Sequence, residues 1–175
     1  MSAPTREEAL ATLEEGRAAL QALFDRLSSD DMTRPATIGV GDWSAKDLLG
    51  HIAFWEELAA DTLAAWRGGR RPPTEGTQEA PWEGTDAANA RNQLRTAAQS
   101  LEEVKRRAAL AHHTIVEEIQ TMSEGEWRAT PFYPGATAPT LGELLGRVLG
   151  APTGLFQHAF AHLADLRTFV ESLPR

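Results

Sequence analysis

The chain has 175 residues, 42% hydrophobic and 24% charged, proportions that suit one folded domain spanning residues 1–175 and exclude a disordered chain. Seventeen Lys and Arg stand against 25 Asp and Glu, a net charge of -8. No dominant basic field is available for a phosphate backbone, so nucleic acid is not expected as a partner. Cysteine is absent, which excludes disulfides, thiolate metal sites and a cysteine nucleophile.

The opening residues, Met1 to Glu8, lack the basic start and apolar stretch of a secretory leader. No segment reaches the roughly 18 uninterrupted apolar residues of a membrane span. The expectation is a cytoplasmic protein that does not engage membranes.

In chain order, the first helical period runs from about Thr5 to Leu27, with Leu10, Leu13, Leu20, Leu23, Phe24 and Leu27 on one side. Ser28 to Asp31, Pro35 and Gly39 to Gly41 mark a loop. Ser44, three residues before Asp47, is a variant capping box that opens a second helix, continuing to about Trp66. Gly68-Gly69 and Pro72-Pro73 stop it, and a Gly- and Pro-rich loop extends to Gly84. A third helix is predicted over about Asp86 to Met122, followed by a loop from Ser123 to Pro139. Thr140 and Glu143 repeat the capping pattern, Gly150, Pro152 and Gly154 interrupt, and a last helix is predicted over about Thr153 to Leu173. With no strand signal, the reading is an all-α four-helix bundle with long loops after helices 2 and 3. A weak internal repeat aligns Ser44-Ala-Lys-Asp-Leu-Leu-Gly-His51 with Thr140-Leu-Gly-Glu-Leu-Leu-Gly-Arg147.

The histidines carry the chemistry. His158 and His162, four apart, share one face of the last helix, and His51 lies on the inward row Leu48, His51, Trp55, Leu58 of the second. Zn–N bonds of roughly 2.0–2.1 Å would let such rings converge on one ion, provided the two helices are neighbours. Spacing alone leaves two readings open, a divalent metal site and hydrogen-bonded core histidines. Asp47 and Asp165 are placed to orient an imidazole, although a helix start for Asp47 and a surface pair for Asp165 are the preferred readings. His112 and His113, adjacent and so pointing in different directions, leave room for one to line the interior but read first as solvated or capping residues, and Lys105-Arg106-Arg107 as a solvated basic run. The five tryptophans serve as core or as pocket walls.

The element Gly41-Asp42-Trp43-Ser44-Ala45-Lys46-Asp47-Leu48-Leu49-Gly50-His51, together with His158-Ala159-Phe160-Ala161-His162, resembles the DinB-like four-helix bundle superfamily. Within it, the likeness is to the group of the colibactin self-resistance and DfsB proteins and to the maleylpyruvate isomerase type. The resemblance implies a divalent metal, Zn²⁺ or Ni²⁺, on His51, His158 and His162. It departs from the pattern at Leu163-Ala164-Asp165, where some members carry Arg-Gly-Gln, and in the broken stretch from Gly146 to Gly154, which could displace the last helix.

Three neutral imidazoles leave a cation with its full charge and an open position for water or an external thiol. The resemblance therefore implies a metal-dependent enzyme acting on a small electrophile. The activity would be that of a thiol-dependent transferase or isomerase, or of a hydrolase, in detoxification or stress, with a low-molecular-weight thiol as a cosubstrate. It also allows a homodimer. The competing expectation is a bundle that sequesters a small molecule or metal without turnover. The loops at 68–84 and 123–139 are the expected walls of the entrance.

Overall fold

Side-chain caps set where most of the helices begin. In the computed structural model, which describes residues 4–39, 41–77 and 79–174, Thr5, Ser28, Ser44, Ser100, Ser123 and Thr140 each accept the backbone N–H three residues on. Each satisfies one of the free donors of a first turn. The helices so opened are α1 (Arg6–Phe24), α2 (Ser29–Thr33), α3 (Ala45–Arg67), α5 (Leu101–Thr121), α6 (Glu124–Trp127) and α7 (Leu141–Val148). Helices α4 (Thr85–Ala97), α8 (His158–Ala161) and α9 (Leu163–Ser172) start without a side-chain cap. The described residues contain no strand, and two isolated bridges, Ile38 with Trp43 and Ala151 with Gly154, close turns. Met1 to Ala3, part of the segment on which the leader reading rests, lie outside the described residues.

The all-α reading holds, and the four-helix description holds for the frame of α1, α3, α5 and the α8–α9 pair. Helix α3 is the hub: it packs on α4, α5 and α7, while α1 packs on α5, α8 and α9. One apolar cluster gathers Leu58, Leu63, Ile115, Ile119, Leu141 and Leu145, and a second Leu20, Leu48, Ile52, Val104, Leu166 and Phe169. None of the described helices is long and apolar enough to cross a membrane.

Two predicted helices are divided. The third breaks at Ala98 to Ser100, because Ser100 and Glu103 form a full capping box that starts α5 afresh. The chain folds back there, and Arg107 reaches across to Asn92, its Nη2 lying 2.9 Å from Asn92 Oδ1. Arg107 is accordingly not the solvated residue expected of the basic run. It is buried and doubly bonded to Glu57 at 2.7 and 2.8 Å, since a guanidinium leaves water only when such a fork is answered. The last helix starts at His158 rather than Thr153, after an irregular turn containing Pro152 and Gly154, and is interrupted at His162, which ends α8 and begins α9.

Candidate metal centre

His51 enters the interior on the second turn of α3. Ser44 and Asp47 fix that helix start, Asp47 accepting from both the backbone N–H and the hydroxyl of Ser44 at 2.9 and 2.6 Å. Asp47 is therefore spent on the cap. The ring of Trp43 lies 4.9 Å from that of His51, and Trp55 one turn on packs edge-to-face at 6.4 Å, so two of the tryptophans do wall the cluster.

His158 is placed by the end of α7. The carbonyls of Gly146 and Leu149 accept from the backbone N–H groups of Phe156 and His158, each at 3.0 Å. Phe156 takes a left-handed φ of 60°, costly for a bulky residue, and is held there by burial and by stacking on Trp127 at 5.9 Å. Gly146 makes room: a Cβ there would sit 2.7 Å from the Phe156 ring. The broken segment thus sets the last helix rather than displacing it.

The three rings meet. His158 Nε2 lies 2.9 Å from His51 Nε2 and 3.3 Å from His162 Nε2, and the three residues offer ligand atoms no more than 4.8 Å from one another. Bonds of roughly 2.0–2.1 Å at tetrahedral angles put ligand nitrogens about 3.3 Å apart, so the donor set fits a small divalent cation. Hydrogen bonding fits it less well. Each neutral imidazole nitrogen has either one proton or one lone pair, and the single Nε2 of His158 faces two others. His51 Nδ1 is buried with no hydrogen-bond partner among the described residues.

Burial keeps the cluster neutral. It pushes His51 down to about 3, helped by charge repulsion from His162, and holds His158 well below the ordinary 6.5 with further repulsion from His51 and His162. His162 is also lowered by burial, against the opposing pull of the Asp165 carboxylate. Neutral imidazole is the form that donates to a metal.

His113 is exposed beside Glu117, as its position suggests, whereas His112 is not solvated: its Nδ1 lies 2.7 Å from Glu56 Oε1 inside the bundle. Glu56 is the residue the sequence reading overlooks. Its signal is a carboxylate interrupting the apolar row Leu49, Ile52, Ala59, Leu63 at helical spacing. The expected entrance walls also differ. The loops at 68–84 and 123–139 join each other, Thr137 donating to Glu75 and the Arg71 guanidinium lying 5.0 Å over the Tyr133 ring, and the cleft they form contains none of the three histidines.

An all-α frame with three convergent imidazoles on its second long helix and its last pair defines a class of helical bundle with a cation-sized histidine cluster. The chain belongs to the DinB superfamily, whose family model matches residues 12–150. No curated protein sequence matches it. Among solved structures it is similar to an uncharacterised protein from Escherichia coli UTI89, at 16% identity and a TM-score of 0.75, covering 95% of this chain and 93% of that one. It is also similar to the colibactin self-resistance protein ClbS in complex with double-stranded DNA, at 16% identity and a TM-score of 0.73 over 99% and 100% of the two chains. The mycothiol-dependent maleylpyruvate isomerase matches at 12% identity and a TM-score of 0.68, covering 95% of this chain and 63% of that one. At these identities the likeness is one of fold.

The ClbS complex corrects one expectation. Composition excluded nucleic acid on the ground of a net charge of -8, yet a protein of this fold has been crystallised with DNA. Net charge averages over the whole surface, while contact with a phosphate backbone is made by one local face, so the average does not license the exclusion.

Proposed function

We propose that His51, His158 and His162 hold one divalent cation, Zn²⁺ or Ni²⁺, and that the protein is a metal-dependent enzyme acting on a small electrophilic molecule. The observation that carries this reading is the convergence of the three imidazoles, with His158 Nε2 facing both other rings at 2.9 and 3.3 Å. A bound cation would supply a Lewis acid that makes water or an external thiol nucleophilic near neutral pH. The chain's own part is to keep three lone pairs available: burial disfavours the charged imidazoles, and the indoles of Trp43 and Trp55 shield the cluster from water. Asp165 draws on His162 from the outer side, and that pull partly offsets burial.

With no cysteine in the chain, thiol chemistry would need a low-molecular-weight thiol as cosubstrate. The mycothiol dependence of a fold relative favours a thiol transferase or isomerase over a hydrolase. The test is metal analysis of protein purified without a histidine tag, followed by turnover of a model electrophile with and without a low-molecular-weight thiol. One equivalent of metal, lost in His51→Ala, together with thiol-dependent turnover, is the expected result. Metal without turnover would mark a sequestering protein, and metal content unchanged in His51→Ala would remove the site.

A further inference from the structure

Glu56 is 5% exposed, and only half of its carboxylate is accounted for. Oε1 meets His112 Nδ1, while Oε2 is buried with no hydrogen-bond partner among the described residues. A carboxylate in an apolar interior needs both oxygens answered. Glu56 lines a cavity of about 10 Å³ whose other charged or polar walls are His158 and Arg17. That is on the order of the space one water molecule occupies, and such a water needs two to four polar neighbours. The remaining wall, from Leu13, Ile52, Leu149, Phe156 and Ala159, is apolar. Of the two ring nitrogens of His158, Nε2 is committed to the other imidazoles, which leaves Nδ1 for a partner outside the cluster.

We propose that Glu56 is the positioning residue for His158. Through one water in this cavity, His158 Nδ1–H donates to the water oxygen and the water donates to Glu56 Oε2. The bridge fixes the Nδ1–H tautomer and turns the Nε2 lone pair toward the other two rings. His112, on α5, holds the far side of the carboxylate, so α5 supports a site to which it contributes no ligand. This inference rests on the cation reading above for its purpose, but not for its test.

The experiment is histidine side-chain ¹⁵N NMR on metal-free protein, with Zn²⁺ affinity measured by competition with a chelator. Wild type is expected to show His158 protonated on Nδ1. In Glu56→Gln the amide nitrogen becomes a donor where Oε2 accepted, so the water must donate to Nδ1 and the Nε2–H tautomer gains. Its proton then occupies the lone-pair direction, and Zn²⁺ affinity falls about ten- to a hundredfold, as for loss of an outer carboxylate. Glu56→Asp keeps a carboxyl oxygen as acceptor and retains both the tautomer and an affinity within about threefold of wild type.

An Nε2–H tautomer of His158 in wild type overturns the proposal without any variant. So does a Glu56→Gln protein with unchanged tautomer and affinity, and so do equal losses in Gln and Asp variants, which would mark a packing role. If wild type binds no Zn²⁺, the cation reading fails while the tautomer measurement still decides the role of Glu56.

Discussion

Helices α3 and α7 begin alike and end differently. Each starts on a hydroxyl cap, Ser44 or Thr140, and runs through a Leu-Leu-Gly triplet to a basic or titratable residue one position later, His51 or Arg147. In α3 the helix goes on to Arg67, and His51 is buried among two indoles and two imidazoles. In α7 it stops at Val148, and Arg147 turns outward to Glu143 and the Thr137 carbonyl. The two glycines are both close-packed, against Thr96 of α4 in one case and Phe156 in the other. A shared opening therefore sets how a helix enters the bundle, and the residues after it decide whether it carries the site or supports it.

The largest contrast is in metal. His51→Ala should take the protein from one equivalent to almost none, while Arg147→Ala, at the matching position of α7, should leave metal content unchanged. Elemental analysis of the two untagged variants checks this.

Next comes acid stability of the metal-free protein. His51 titrates at about 3 in the fold and near its ordinary 6.5 when unfolded, so the unfolded chain takes up the proton first as pH falls. Stability is then full above about pH 6.5, declines by a few kcal/mol toward pH 3 and levels off below. Denaturant titrations across that window should show the decline, and a His51→Leu variant should lessen it without abolishing it, since burial also holds His158 and His162 below 6.5.

Gly50→Ala and Gly146→Ala should each destabilise by about 1–3 kcal/mol through overpacking, since the new Cβ would meet Thr96 Oγ1 at 2.5 Å or Phe156 Cε2 at 2.7 Å. Metal affinity separates them. The Gly146 variant pushes Phe156, two residues before His158, and should weaken binding beyond the Gly50 variant in a chelator competition. The smallest effects are at the caps, where Ser44→Ala and Thr140→Ala should each cost about 1 kcal/mol in thermal or chemical unfolding.

What could be read from the sequence was what is local. The start of α3, its end near Trp66, and the one-face spacing of His158 and His162 follow from caps and helical period, which act within a few residues. The break before α5 was equally local, written in Ser100 and Glu103, but a long stretch of continuous helical period masked it. Arg107 and Glu56 were beyond reach for a different reason. Their burial depends on Glu57, Asn92 and His112, partners that only the fold brings within hydrogen-bonding distance. The meeting of His51 with His158 is of that second kind. Spacing placed each on an inward row, and the family resemblance, not periodicity, supplied the pairing of their helices.

The indole N–H of Trp127 is bonded to the Pro4 carbonyl at 3.1 Å, and its ring lies flat on Phe156, two residues before His158. The segment before α1 is in this way harnessed to a histidine near the opposite end of the sequence. Anyone fusing a label ahead of Pro4, or trimming back to the first helix, is handling a lever on the histidine cluster, and a tether at the carboxyl terminus leaves that lever alone.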